Sequence, residues 1–169
     1  MNREDLFSYE FNGVLYPNYL RDGNMMQYIR PLAEKYCIGK GIDIGGGKWP
    51  FCELAVDSGD EDALNFKGED YDFIFSSHCL EHLDKPRVAL RYWLTKLRPG
   101  GVLFLYLPHP DMEYWRPGNH KGTSCDPPSP HRNIWEPHVA AAMVGFAGFR
   151  DIIYSGRDLA WSYCVVGWK

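Results

Sequence analysis

The sequence has no concentration of positive charge, no long apolar run and no paired cysteines. Its 18 lysines and arginines are scattered among 22 acidic residues, for a formal net charge of −4, so the electrostatic footprint of a nucleic-acid binder is missing. No apolar stretch approaches the ~20 residues that cross a bilayer, and the opening MNREDLFSYEF is acidic and polar where a secretory leader is basic and then apolar. The cysteines, Cys37, Cys52, Cys79, Cys125 and Cys164, are odd in number, widely spaced and contain no CxxC. That argues for reduced thiols, and against both a disulfide framework and a cysteine zinc site. Internal repeats and low-complexity tracts are also missing. These absences leave a soluble, cytoplasmic chain with no nucleic acid and no membrane among its partners; a small-molecule substrate and a monomeric or homodimeric state are expected.

What is present is ordinary globular material. A chain of 169 residues makes one domain, able to bury about two thirds of its unfolded surface. Apolar residues make up 45% and charged residues 24%, and most of the 15% that are aromatic are assigned to the core. Strands are expected at 40–44, 54–56, weakly at 63–66, and at 72–76 and 102–107, all parallel. Residues 150–154 and 162–167 follow as an edge hairpin. Helices are expected over 25–37, where Pro31 kinks or splits the run, from Asp84 and Pro86 to the stop at Pro99-Gly100-Gly101, and over 139–146, closed by Gly148. Residues 1–23 read as an irregular lead-in. The domain thus divides into a cover segment and helix (1–37), a cofactor-binding half (38–107), a proline-rich substrate or lid loop (108–137), and a final helix with its edge hairpin (138–169).

Residues 71–101 carry the most information, because they read as strand, polar elbow, helix and stop in one run. Phe73, Ile74 and Phe75 form a buried-strand run, and Ser76, Ser77 and His78 follow at its carboxyl end, the edge where open α/β sheets bind ligands. Strand, helix and strand in that order imply a right-handed parallel crossover. A second binding element is Asp43-Ile44-Gly45-Gly46-Gly47, whose glycines let backbone N–H groups approach a ligand. It does not suit a dinucleotide. Pro50 stands where that fingerprint needs glycine, and the nine residues between Gly47 and Asp57 allow a turn or two of helix at most. A nicotinamide oxidoreductase is therefore disfavoured. Asp57 suits the diol of a ribose, and Asp62 with Ala63 an adenine edge. S-adenosylmethionine has these parts.

In their order and spacing the pieces GIDIGGG, AVD, DALNF, YDFIFSSHCLEHL, LRPGGVLFLYLPH and WEPHVAAAMVGFAGF resemble a class I S-adenosylmethionine-dependent methyltransferase, of the group that includes ubiquinone and menaquinone biosynthesis enzymes. The resemblance covers residues 38–167. It implies a single-domain, Rossmann-like α/β sheet, mostly parallel with an antiparallel edge strand, and a shortened first crossover helix. It implies methyl transfer from S-adenosylmethionine, with S-adenosylhomocysteine as product. Gly45 and Gly47, with Asp43 and Gly46 beside them, would meet the methionine end, Asp57 the ribose hydroxyls, and Asp62 and Ala63 the adenine. Ser76, Ser77 and His78 would form the floor beside the sulfonium. Trp49 replaces the usual third glycine of the first motif. With the short helix, that keeps open a second class, an S-adenosylmethionine-binding or scaffold protein without turnover.

His78, Glu81 and His82 stand at i, i+3 and i+4, so a helical turn over 78–82 would put all three on one face. The same HxxEH string serves inverted zinc peptidases, but those need a long helix, and here a strand leads straight into it. Three readings remain. One is a metal-free general base, one is structural or solvated histidines, and the weakest is a divalent metal held by His78, Glu81, His82 and His131, implied by a similarity to small-RNA 3′-end methyltransferases at Glu81, His82 and His131-Arg-Asn-Ile-Trp135, with His78 in place of their first acid. The first assigns no metal ligand. It makes His82 and His131 the first choices for the base and His109 the third, with Tyr114, Trp115 and His131 forming a lid over a small acceptor methylated at oxygen or nitrogen.

Overall fold

The computed structural model describes residues 7–57, 62–116 and 131–169. Its centre is a six-stranded sheet in the order β4-β3-β5-β6-β8-β7. The strands are β3 (Gly41–Ile44), β4 (Ala55–Val56), β5 (Tyr71–Ser77), β6 (Leu97–Pro108), β7 (Arg150–Tyr154) and β8 (Ser162–Trp168). β4, β3, β5 and β6 are parallel; β8 pairs antiparallel with β6, and β7 antiparallel with β8. This is the expected Rossmann-like α/β sheet with an antiparallel edge. β5 reads as a continuous apolar run because both its faces are covered: Phe73, Ile74 and Phe75 are all buried. β6 alternates in the same way, with Leu103, Leu105 and Leu107 in one core layer and Phe104 and Tyr106 in the other.

The first layer is built on α3 (Pro86–Lys96) and α4 (Pro137–Ala147). Pro86 begins α3 with its φ already set for a helix. Trp93 is fully buried there and donates its indole N–H to the Ala63 carbonyl at 2.6 Å. Gly148 closes α4 at φ +115, donating to the Val144 and Gly145 carbonyls. The second layer contains α1 (Tyr19–Asp22), α2 (Met26–Ala33) and the hairpin of β1 (Phe7–Phe11) with β2 (Val14–Pro17). Pro31 sits inside α2, which runs on past it to Ala33.

Four expectations need correcting. The lead-in is not irregular: Asn12 and Gly13 both take positive φ (50 and 74), the turn geometry that closes a tight hairpin. Residues 63–66 form no strand. Asp62 Oδ1 accepts the Leu64 N–H at 2.7 Å and Asn65 Oδ1 the Asp62 N–H at 2.6 Å, so side chains turn the backbone there. No helix joins β3 to β4; residues 45–54 are turns and bends. β6 begins at Leu97 rather than 102, because Leu97 already pairs with Tyr71 and the helix stops at Lys96. Among the described residues no helix is long and apolar enough to cross a membrane.

Candidate functional site

The carboxyl ends of β3, β4 and β5 lie side by side, so the glycine loop after β3 and the elbow after β5 share one edge of the sheet. They touch. A Cβ at Gly45, where φ is +86, would stand 2.4 Å from the Cys79 Cβ, so only glycine lets the loop lie against the elbow. The loop is otherwise held from within. Asp43, 1% exposed, accepts the Phe51 N–H through Oδ2 at 2.7 Å. Phe51 stacks on Phe75 with ring centroids 4.5 Å apart, and Arg30 lies over the Phe51 ring while donating to the Pro50 and Phe51 carbonyls. This aromatic plug stands where the crossover helix would be. Burial pushes the Asp43 carboxyl up to about 7, against the Phe51 N–H and Arg30, which favour its charged form.

A cradle remains open beside the plug. Among the described residues, a Cβ at Gly47 (φ +50) would meet only Asp57 Oδ2, at 3.9 Å, so bare backbone faces an exposed carboxylate there. Gly46 is close-packed, a Cβ there falling 2.9 Å from Asp43 Oδ2. The Asp43 Oδ1 is buried without a hydrogen-bond partner among the described residues. Asp62 uses its side chain to shape its own turn, and Ala63 is buried with its carbonyl bound by Trp93. The backbone cradle and the carboxylate fit a ligand with an amino-acid end and a ribose diol.

The elbow differs in kind. Ser76 donates its hydroxyl to the Ile44 carbonyl at 2.8 Å, tying β5 to β3, whereas the neighbouring Ser77 Oγ is buried with no hydrogen-bond partner among the described residues. His78 adopts φ +49, a conformation that costs an L-residue energy. It is held there by its N–H to the Tyr106 carbonyl at 2.9 Å, by Nε2 against Ser162 Oγ at 3.0 Å, and by edge contacts with Tyr19 and Tyr106. Burial, with the nearby His82 adding to it, depresses the His78 imidazole to about 3, so it is neutral.

Glu81 then stands at the centre of a histidine cluster. It lies in the 3-10 turn Leu80–His82 and is fully buried. Its Oε1 is 3.6 Å from His78 Nδ1, 3.9 Å from His82 Nε2 and 3.7 Å from His131 Nε2. Burial pushes the Glu81 carboxyl up to about 8. His131 arrives from the segment after the long loop because its neighbours clamp the turn: the Arg132 and Asn133 N–H groups and the Asn133 amide all donate to the Glu81 carbonyl, at 3.0, 3.1 and 3.2 Å. Arg132 also pairs with Asp84. Trp115 stacks on the His131 ring at 4.7 Å, whereas Tyr114 packs edge-on against Tyr9 and Phe11 of the hairpin. His109 is engaged elsewhere, with the Asp111 N–H and the edge of Tyr163. Much of the 108–137 lid, residues 117–130, lies outside the described residues, and Cys125 with it.

Strand order and ligand edge together define a class I methyltransferase fold. A family model for a methyltransferase domain matches residues 21–153, and the chain belongs to that family of S-adenosylmethionine-dependent enzymes. The match is to the domain at large and does not reach the narrower ubiquinone and menaquinone group. Solved structures share the fold at low identity. An S-adenosylmethionine-dependent methyltransferase of Thermotoga maritima is 15% identical with a TM-score of 0.67, over 89% of this chain and 98% of that one. One from Archaeoglobus fulgidus is 15% identical with a TM-score of 0.62, over 89% and 97%. Phosphoethanolamine N-methyltransferase 2 of Haemonchus contortus, in complex with S-adenosyl-L-methionine, is 17% identical with a TM-score of 0.55, over 82% and 40%. No curated protein matches the chain.

Proposed function

We propose that this enzyme methylates an oxygen or nitrogen of a small molecule bound between the glycine loop and the Glu81 cluster. S-adenosylmethionine, when bound, supplies an electrophilic methyl group on its sulfonium. Gly45, Gly46 and Gly47 hold the methionine end with backbone groups, next to Asp43, while Asp57 takes the ribose diol and Asp62 with Ala63 bounds the adenine. Ser77 and His78, on the floor provided by Ser76, line the side nearest the reacting centre. The transfer is an in-line displacement, so most of the protein's task is alignment. His82, the more exposed of the cluster's paired imidazoles, removes the acceptor proton, and Glu81 faces the imidazolium that forms. His131 holds the opposite side under Trp115.

The observation that carries this reading is the clamping of Arg132 and Asn133 onto the Glu81 carbonyl, which brings a distant histidine to the elbow beside the glycine loop. Calorimetry with S-adenosylmethionine tests the cofactor, and a labelled-methyl screen across metabolite pools tests the acceptor. Absence of both binding heat and thermal shift would overturn the reading.

A further inference from the structure

Glu81 is fully buried, and neither of its carboxylate oxygens has a hydrogen-bond partner among the described residues. Proteins rarely leave such a group bare; they pair it or bind a metal with it. Its Oε1 faces His82 Nε2 at 3.9 Å and His131 Nε2 at 3.7 Å, beyond hydrogen-bond reach. Those separations are near the edge of a coordination tetrahedron, because ligand atoms about 2.1 Å from a zinc ion stand about 3.4 Å apart. One carboxylate oxygen and one nitrogen from each imidazole all lie within 4.8 Å of one another. The set is fixed from two directions. Glu81 and His82 share a turn, while His131 sits in a segment hydrogen-bonded to that turn and under the Trp115 ring.

We infer that Glu81, His82 and His131 form a binding site for a divalent first-row transition metal, with a coordination position left for an oxygen of the methyl acceptor. Two imidazole nitrogens favour zinc or cobalt over magnesium or calcium, which take oxygen ligands. Three protein ligands with a vacant position are the arrangement of catalytic zinc sites. The inference rests on the proposed methyl transfer, replaces the proton-removing role given there to His82, and narrows its acceptor to hydroxyl compounds. With the cation held, the imidazoles serve as ligands and the cation acidifies the acceptor in place of a base. The acceptor O–H bond breaks, its proton leaving to water. The new O–C bond forms as the sulfonium S–C bond breaks, and neutral S-adenosylhomocysteine departs.

The test titrates chelator-stripped full-length protein with Co2+ and then Zn2+, reading the visible Co2+ bands and the heat of binding. About one equivalent is expected to bind, and Glu81→Gln and His131→Ala are expected to weaken it by more than about 100-fold. His138→Ala, on the exposed start of α4, is expected to bind normally. Circular dichroism and S-adenosylmethionine calorimetry on each variant show that it is folded. Should a variant fail those checks, wild-type turnover with chelator, and its recovery on adding Zn2+, decides instead. No binding by the wild type, undiminished binding by folded Glu81→Gln, or turnover indifferent to chelation each overturns the metal site. Failure of S-adenosylmethionine to bind the wild type would overturn the methyltransferase reading alone.

Discussion

The glycine loop and the elbow sit on one sheet edge but leave their polar groups unmet to different degrees. In the loop, Asp43 leaves Oδ1 unmet among the described residues but ties Oδ2 to the Phe51 N–H, Phe51 is stacked on Phe75, and Arg30 caps the ring, so the segment is largely held by its own contacts. At the elbow, Ser77 and both Glu81 oxygens are buried without hydrogen-bond partners among the described residues, and His78 holds a strained backbone angle. Unmet polar groups and strain gather where chemistry happens, because a folded chain tolerates them only when something else depends on them. Under the proposed function, the loop is therefore the holder and the elbow the reactive half.

The largest expected effect breaks the elbow. His82→Ala should lower turnover by about 10²–10⁴-fold while S-adenosylmethionine affinity stays as in wild type. Steady-state kinetics beside calorimetry would show it, and an equal loss of cofactor affinity would blur the division between the two regions. Next comes the contact between them. Gly45→Ala puts a Cβ 2.4 Å from the Cys79 Cβ at a φ of +86, so it should cost about 2–4 kcal/mol of stability and lower cofactor affinity together. Denaturant unfolding measures the first. An Ala variant as stable as wild type would mean that loop and elbow are not packed as described.

Both regions were legible in the sequence to different depths. The elbow followed from a local pattern, an apolar run ending in Ser76, Ser77 and His78, and it stands where expected. The plug that replaces the first helix did not, since it depends on Phe51 meeting Phe75 and on Arg30 arriving from an earlier helix. The Ala63–Phe66 run reads as a strand by composition, but Trp93, far along the chain, binds its carbonyl and the neighbouring Asp and Asn close it into a turn. The hairpin at Asn12-Gly13 had a usable signal, an Asn-Gly pair between aromatic and β-branched residues, which the glycine and proline content of the lead-in masked. His131 could be named as a candidate, but its meeting with Glu81 rests on hydrogen bonds spanning 52 positions.

A third test turns on the cost of the buried carboxylate. Burial raises the Glu81 carboxyl to about 8, so the folded state holds its proton more tightly than the unfolded chain does. That contribution to stability is complete below the unfolded value, near 4.5, and is lost as the pH rises through about 8. In metal-free protein, Glu81→Gln should therefore match wild type in acid and exceed it at alkaline pH, by about 2 kcal/mol or about 4–8 °C in melting temperature. Thermal melts across that range check it. A Gln variant that is less stable above pH 8 would mean the ionised carboxylate is compensated within the fold.

The smallest effect is the sharpest comparison, because it sets adjacent residues of one strand against each other. Ser76 and Ser77 occupy opposite faces of β5. Ser76 spends its hydroxyl on the Ile44 carbonyl, so Ser76→Ala removes a buried hydrogen bond and should cost about 1–2 kcal/mol. The Ser77 hydroxyl is buried with no such bond, so Ser77→Ala removes an unmet group and should leave stability unchanged or slightly higher. The same pair should reverse in function. A ligand that accepts from or donates to Ser77 gives that hydroxyl its missing partner, so Ser77→Ala should weaken S-adenosylmethionine or acceptor binding by about tenfold, the worth of one neutral hydrogen bond. Ser76→Ala should leave both affinities alone once its lower stability is allowed for. If instead both variants lose stability and neither changes an affinity, the hydroxyl at 77 belongs to the scaffold, and the reactive half begins no earlier than His78.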